Sequence, residues 1–118
     1  MKIVAHVLDG SYGKLAVGVN ARISRSTSGG WITVAEAQTS ADGCIESQSS
    51  WYLEDGLYRI EFDCDSYFAG FGILSAYPEV IVTFRAQGES YALQVQVAIA
   101  PYSYSTYFGT LNSCPDKH

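Results

Sequence analysis

A histidine near the N-terminus is the residue best suited to acid–base chemistry. His6 lies between Ala5 and Val7, inside a run of apolar residues. An imidazole exchanges protons near neutral pH, so this side chain could serve as a general acid or base. The alternative is a strand histidine whose ring nitrogen is satisfied by a backbone carbonyl. Taken alone, the residues favour that alternative.

Cys44 and two glutamines are the next candidates. Cys44 follows the turn Asp42-Gly43, where a thiol could act as a nucleophile, but no neighbouring residue would activate it. A small apolar side chain at the start of a strand explains this cysteine better. Gln94 and Gln96 alternate with apolar residues, so both face outward. There they are either solvated or part of a small hydrogen-bonding face for a ligand or a second subunit.

Composition excludes several classes of function. Seven Lys and Arg against twelve Asp and Glu give a net charge of -5, and no cluster of basic residues is present to bind nucleic acid. Apart from Cys114 and His118, no two Cys or His residues lie two to four positions apart, so no zinc site is predicted. The three cysteines are an odd number without regular spacing, which argues against a disulfide framework and for a reducing compartment.

The elements that would position these residues are strands. The chain of 118 residues fits one domain, and apolar residues recur with a period of two. The pattern predicts strands over 2–8, 15–24, 31–38, 58–64, 79–86 and 91–99. Residues 66–75 break the alternation and could hold a short helix, and 87–89 separates the last two strands at hairpin distance. We therefore predict an all-β sandwich. With neither a secretory signal nor a membrane span, we predict a cytoplasmic location.

The C-terminal segment 101–110, Pro-Tyr-Ser-Tyr-Ser-Thr-Tyr-Phe-Gly-Thr, resembles the signature of the transthyretin / 5-hydroxyisourate hydrolase family. Further similarities follow in the family's order at His6–Asp9, Thr39–Gly43, Tyr58–Ile60, Ser66–Phe68 and Tyr77–Glu79. The resemblance implies a transthyretin-like two-sheet β-sandwich with one short helix, over residues 1–110, followed by an extension at 111–118. It also implies a homotetramer with paired sites in a channel, and no metal or organic cofactor.

Carried over position by position, the hydrolase site is only partly present. Its first-strand histidine corresponds to His6, whereas its arginine falls on Cys44 and its second histidine on Gln94. In the terminal tetrapeptide, Phe108 replaces a second arginine and Thr110 replaces a serine. Loss of both arginines removes the groups suited to an anionic, oxygen-rich ring.

The main hypothesis is a cofactor-free enzyme of altered specificity. It would act on a neutral aromatic or polycyclic metabolite, such as a natural-product intermediate, by ring hydrolysis, isomerisation or cyclisation. His6 would be the acid or base, and Gln94 and Thr110 would orient a carbonyl or hydroxyl. The substrate pocket would be lined by Cys44, Gln96, Tyr107 and Phe108. The alternatives are a non-catalytic protein that binds small ligands, as transthyretin does, and a retained 5-hydroxyisourate hydrolase of purine breakdown.

Overall fold

The computed structural model describes residues 2–45, 53–87 and 92–110. Within these residues the chain forms nine β-strands and one short α-helix. In chain order they are β1 Lys2–Asp9, β2 Lys14–Leu15, β3 Asn20–Thr27, β4 Gly30–Gln38, β5 Cys44–Ile45, β6 Gly56–Asp63, α1 Cys64–Ala69, β7 Glu79–Ala86, β8 Ala92–Ala100 and β9 Ser103–Thr110. The predicted extension at 111–118 lies outside the described residues. No helix in the described ranges is long and apolar enough to span a membrane.

The strands form two sheets that pack face to face. Sheet A has the order β2-β1-β8-β9, and β5 also pairs with β1; sheet B has the order β4-β3-β6-β7. One continuous core joins them, with large, fully buried side chains such as Ile3 and Ile99 from sheet A and Tyr58 and Phe62 from sheet B. The predicted all-β sandwich with one short helix is therefore confirmed.

The predicted strand over 15–24 is in fact two strands in different sheets. Gly18 takes a positive φ of 83°, which interrupts the extended backbone. The Thr39 hydroxyl accepts a hydrogen bond from the Val19 amide and donates one to the Ala16 carbonyl, both at 2.8 Å. Thr39 thereby fixes the point at which the chain leaves β2 in sheet A and enters β3 in sheet B.

The hairpin predicted around 87–89 is wrong. β7 pairs with β6 in sheet B, whereas β8 pairs with β1 and β9 in sheet A. The segment between β7 and β8 thus connects the two sheets. The β1–β8 pairing is parallel and runs from Lys2↔Ala92 to Asp9↔Ile99, which places the first and the penultimate strands side by side.

The short helix is tied to the end of β1. Asp63 caps α1 by accepting a hydrogen bond from the Ser66 amide at 3.0 Å. α1 buries Tyr67 and Phe68, and the Tyr67 hydroxyl donates to Asp9 Oδ2 at 2.6 Å. The helix starts two residues before the segment predicted to contain one, and Gly70 follows its last residue.

Two glycines with the same backbone conformation should differ in their tolerance of a side chain. Gly43 and Gly72 have φ values of 71° and 73°. A Cβ on Gly43 would lie 2.8 Å from the Val7 carbonyl oxygen, whereas a Cβ on Gly72 would meet no atom within 4 Å. We expect Gly72→Ala to cost about 1–2 kcal/mol and Gly43→Ala about 2–4 kcal/mol in urea denaturation. Equal losses would contradict the tight packing of the turn against β1.

Candidate active site

His6 faces away from the sandwich core. Its neighbours Ala5 and Val7 belong to the main core cluster, as does Ile3. Because successive side chains in a strand point to opposite sides, His6 and Val4 face outward from sheet A. Val4 indeed belongs to a separate small apolar cluster with Cys44.

Strand register places three of the predicted site residues in one row with His6. His6 pairs with Cys44 across β5 and with Gln96 across β8, and Gln96 pairs with Tyr107 on β9. We call Cys44, His6, Gln96 and Tyr107 the site row. Neighbouring strands lie about 4.8 Å apart, so adjacent members can contact the same small molecule. Gln94 lies in the next row, between Val4 and Gly109.

The imidazole of His6 has an unsatisfied nitrogen. His6 is 9% exposed, and its Nδ1 atom is buried without a hydrogen-bond partner among the described residues. The expectation that a backbone carbonyl satisfies the ring is therefore not met at this nitrogen. A buried polar atom without a partner is uncommon and calls for an explanation. One explanation is a substrate group that forms a hydrogen bond or exchanges a proton with Nδ1.

A glycine leaves room for the Tyr107 ring on the outer face of sheet A. Gly109 lies two residues further along β9, on the same face. A Cβ on Gly109 would lie 2.5 Å from the Tyr107 hydroxyl oxygen and 2.9 Å from its Cζ. The phenol ring therefore occupies the space that a larger residue at 109 would fill.

Replacing this glycine should move the tyrosine without unfolding the protein. Gly109 is not at a positive φ, and the conflict is with the mobile end of a half-exposed side chain. We expect Gly109→Ala to shift the NMR signals of the Tyr107 ring and to change the free energy of unfolding by about 1 kcal/mol or less. Unchanged ring signals would show that the small residue at position 109 does not determine where the Tyr107 ring lies.

An apolar cavity adjoins the site row. It has a volume of about 410 Å³ and is lined by Leu8, Leu15 and Ala98 together with parts of the β1–β2 turn. Leu8 and Ala98 are cross-strand partners two residues beyond His6 and Gln96, so the cavity continues the same outer face. Its size falls in the range of small-molecule sites.

The charged groups in the cavity wall are engaged elsewhere. The Lys14 ammonium lies over the rings of Tyr12 and Phe71, at 5.2 and 5.0 Å from their centroids. Asp9 is fully buried and accepts hydrogen bonds from Ser11, Tyr12 and Tyr67. The cavity therefore offers mainly an apolar surface.

Besides Gln94, two more predicted site residues are not brought to this row. Phe108 pairs with Val95 and packs against Phe84 of sheet B, with ring centroids 5.2 Å apart, on the core side of β9. Its role as a pocket wall stays a prediction that this position does not favour. Thr110 pairs with Leu93 at the end of β9, and its side chain lies outside the described residues.

Cys44 corrects the interpretation of the cysteines. It is disulfide-bonded, whereas Cys64 is a free, buried thiol. An odd number of cysteines excludes complete pairing but not a single disulfide. The sulfur of Cys44 is therefore no thiol nucleophile in this state, and the argument for a reducing compartment is lost.

A larger cavity lies on the other sheet. It has a volume of about 730 Å³ and is lined by charged residues that include Arg22, Glu61 and Glu79. Arg22 and Glu61 form an ion pair at 2.6 Å, and their hydrogen bond raises the pKa of Arg22. This cavity contains none of the predicted site residues.

Comparison with known proteins places the chain in a known family. The family model of the HIUase/transthyretin family matches residues 3–109, nearly all of the chain. The chain belongs to this family. This confirms the resemblance that the sequence motifs indicated.

The relatives in this family carry hydrolase names. The chain is 32% identical over 112 residues to the 5-hydroxyisourate hydrolase of Caulobacter vibrioides, covering 92% of this chain and 97% of the relative. It is 32% identical to the mouse 5-hydroxyisourate hydrolase, covering 92% and 94%. It is 33% identical to that of Deinococcus radiodurans, covering 92% and 95%.

Sequence reasoning missed part of this candidate site. It assigned no role to Val4, Leu8 or Gly109. The period of two in β1 was a signal for Val4 and Leu8, since both share the parity of His6. No comparable signal marks Gly109, because its role depends on where the Tyr107 ring lies.

Proposed function

We propose that this protein is a cofactor-free enzyme that hydrolyses or rearranges a neutral, ring-containing small molecule on the outer face of sheet A. His6 is the acid–base group, and Gln96 and Tyr107 orient the substrate from the neighbouring strands. Gln94 adds a second amide in the adjacent row. The unpartnered, buried Nδ1 atom of His6 is the observation that carries the proposal.

The side chains around His6 favour a neutral substrate. In the site row and the two rows beside it, the described side chains are apolar, amide, hydroxyl or phenol groups, apart from His6 itself. Anionic substrates are usually held by arginine or lysine. The adjoining cavity of about 410 Å³ supplies an apolar wall of a size suited to an aromatic or polycyclic ring.

The chemistry follows from the groups present. An amide N–H of Gln96 or the Tyr107 hydroxyl can donate a hydrogen bond to a substrate carbonyl oxygen, where charge develops during attack by water. His6 can accept the proton of that water and return it to the leaving oxygen or nitrogen. The same groups could move a proton between two positions of a ring, so isomerisation is an alternative outcome of the same geometry.

Turnover of a neutral aromatic lactone tests the proposal. We expect the purified protein, in the presence of EDTA, to accelerate the opening of dihydrocoumarin above the buffer rate and to release the hydroxy acid. Lactone that is bound and recovered unchanged would overturn catalysis in favour of the ligand-binding alternative. If the lactone is neither turned over nor bound, the outer face of sheet A is not a site for such compounds.

A second candidate is hydrolysis of 5-hydroxyisourate, the reaction in the names of the relatives. His6 and the C-terminal segment 101–110 support it. The glutamine and cysteine at the positions that resemble the hydrolases' second histidine and arginine speak against it. Substrate generated in place by urate oxidase distinguishes the two, because its spontaneous decay gives a direct baseline.

The proposal also includes an oligomeric state and a cellular location. A homotetramer would bring outer faces of sheet A from different subunits together and enclose the site row, and analytical ultracentrifugation measures that state. A cytoplasmic location stays a prediction, and fractionation of the source cells tests it.

A further inference from the structure

The side of β1 opposite β8 is covered by two short strands that meet next to His6. β1 pairs with β8 along its whole length. On its other side it pairs with β5 at Ala5 and His6, and with β2 at Leu8 and Asp9. Each of these two strands has only two residues. Strands this short cannot hold their own register, so the segments next to them have to hold it.

The change of partner takes place at Val7, the residue after His6. The Val7 amide donates to the Gly43 carbonyl at 2.8 Å, directly before β5. The Val7 carbonyl accepts from the Ala16 amide at 3.0 Å, directly after β2. A Cβ on Gly43 would lie 2.8 Å from the Val7 carbonyl oxygen and 3.5 Å from the Ala16 nitrogen, so the three segments are in close contact. The backbone next to His6 is therefore held at the point where these segments meet.

The side chain of Thr39 ties the two flanking segments together. Thr39 is 4% exposed, and its hydroxyl donates to the Ala16 carbonyl at 2.8 Å. Thr39 also precedes the turn toward β5, in which the Ser40 carbonyl accepts from the Gly43 amide at 2.8 Å. The hydrogen bonds thus form a closed circuit that passes through both backbone groups of Val7 and returns to Thr39. We call it the Thr39 circuit; a fully satisfied network of this kind rigidifies the groups it joins.

The imidazole of His6 depends on this backbone for its orientation. Its Nδ1 atom has no hydrogen-bond partner among the described residues, so no described side chain holds the ring at that atom. In a catalytic histidine, a hydrogen bond to the second ring nitrogen commonly supplies the orientation. Where that bond is missing, the backbone at residue 6 has the larger share in setting where the ring points.

We propose that Thr39 is a positioning residue for His6. Its hydroxyl closes the Thr39 circuit, which holds the backbone at Val7 and thereby the direction of the neighbouring imidazole. Thr39 is buried and acts only through β1, β2 and the turn before β5. The effect on the ring is independent of the proposed function; only the effect on turnover rests on it.

NMR signals of the His6 ring in Thr39→Val test the proposal, because valine removes the hydroxyl and keeps the shape of the side chain. Ser75→Ala is a matched control. Ser75 is 8% exposed, and its hydroxyl donates to the Tyr77 carbonyl at 2.9 Å and accepts from the Tyr77 amide at 3.1 Å, so this variant also loses a buried hydroxyl that binds backbone groups. We expect Thr39→Val to shift the ring signals by more than their line width, Thr39→Ser to restore them and Ser75→Ala to leave them in place. Unchanged signals in a folded Thr39→Val protein, or an equal shift in Ser75→Ala, would overturn the proposal.

Kinetics with dihydrocoumarin test the consequence for turnover. Thr39→Val should lower kcat by about 10–100-fold and leave KM within about threefold, because a displaced base weakens the transition state more than substrate binding. Thr39→Ser should retain kcat within about threefold. A change confined to KM, or a loss that serine does not repair, would overturn the positioning role. The ring signals need no substrate, so failure of the proposed function is recognised separately, by the absence of turnover in the wild type.

Hydrogen exchange of the wild-type protein covers the case in which Thr39→Val does not fold. The Val19 amide donates to the Thr39 hydroxyl at 2.8 Å and so reports on this residue directly. If the Thr39 circuit opens as one unit, the amides of Val7, Ala16 and Val19 should have protection factors within about tenfold of one another. A Val7 amide protected about a hundredfold more than the other two would overturn the coupling.

Discussion

Replacement of His6 by alanine is expected to lower kcat/KM for dihydrocoumarin by about 10²–10⁴-fold. That corresponds to roughly 3–5 kcal/mol of barrier. The reason is that His6 is the proposed acid–base group of the site row, and no described residue engages its buried Nδ1 atom. Initial rates at several substrate concentrations measure the effect. Most of the loss should fall on kcat, because the proposal assigns orientation of the substrate to Gln96 and Tyr107, which His6→Ala leaves in place.

The chain offers a matched control in its second histidine, His118. His118→Ala removes the same type of group and should retain the wild-type rate within about twofold. Thermal denaturation of both variants checks that the fold is intact. A folded His6→Ala protein that retains full turnover would contradict the role of His6. A comparable loss of kcat/KM in His118→Ala would show that the effect is not specific to His6.

The largest expected effect on stability is that of Asp9→Ala, at about 3–4 kcal/mol. Asp9 is fully buried at the end of β1. Its Oδ1 atom accepts hydrogen bonds from the Ser11 amide, the Ser11 hydroxyl and the Tyr12 amide at 2.9, 2.6 and 3.1 Å. Its Oδ2 atom accepts the Tyr67 hydroxyl at 2.6 Å. Alanine would leave these donors without their acceptor, and urea denaturation measures the loss.

The pH dependence of this effect has a defined sign. Burial by itself would raise the pKa of Asp9, but the hydrogen bonds from Ser11, Tyr67 and Tyr12 outweigh it and hold the pKa below 3.8. A group whose pKa is depressed by folding contributes stability above its unfolded pKa and loses it as the pH falls through the folded value. The difference between wild type and Asp9→Asn should be constant from pH 7 to about pH 5 and shrink below about pH 4.

Tyr67→Phe separates the helix contact from the turn contacts. It removes one of the four hydrogen bonds and keeps the ring in the core, so a loss of about 1–2 kcal/mol is expected. A Tyr67→Phe protein as unstable as Asp9→Ala would show that the turn contacts of Asp9 contribute little.

The strands β7 and β8 were predictable because one face of each is buried. In β7 and β8 apolar residues alternate over eight and nine residues, and the predicted ranges 79–86 and 91–99 match or nearly match the observed ones. The strands β2 and β5 have two residues each, too few to show a period. The assignment of neighbouring strands to different sheets also escapes a local pattern, because it depends on contacts such as those of Thr39.

The residues of the candidate site were predictable from the sequence, but their arrangement relative to one another was not. The type of residue marks His6, and alternation marks Gln94 and Gln96 as outward. Only register shows that Gln96, and not Gln94, is the direct partner of His6. Tyr107 and Phe108 are adjacent aromatics, so the sequence does not reveal which of them shares the face of His6. The disulfide at Cys44 depends on distance in the fold, which an odd cysteine count does not encode.

The central claim is that the outer face of sheet A serves a neutral substrate, and one comparison tests it most directly. A single preparation, in one buffer with EDTA, is assayed for kcat/KM with dihydrocoumarin and with 5-hydroxyisourate generated by urate oxidase. The predicted result is at least a tenfold preference for the lactone. A tenfold or greater preference for 5-hydroxyisourate would contradict the claim and show that the reaction named for the relatives is retained without the arginines.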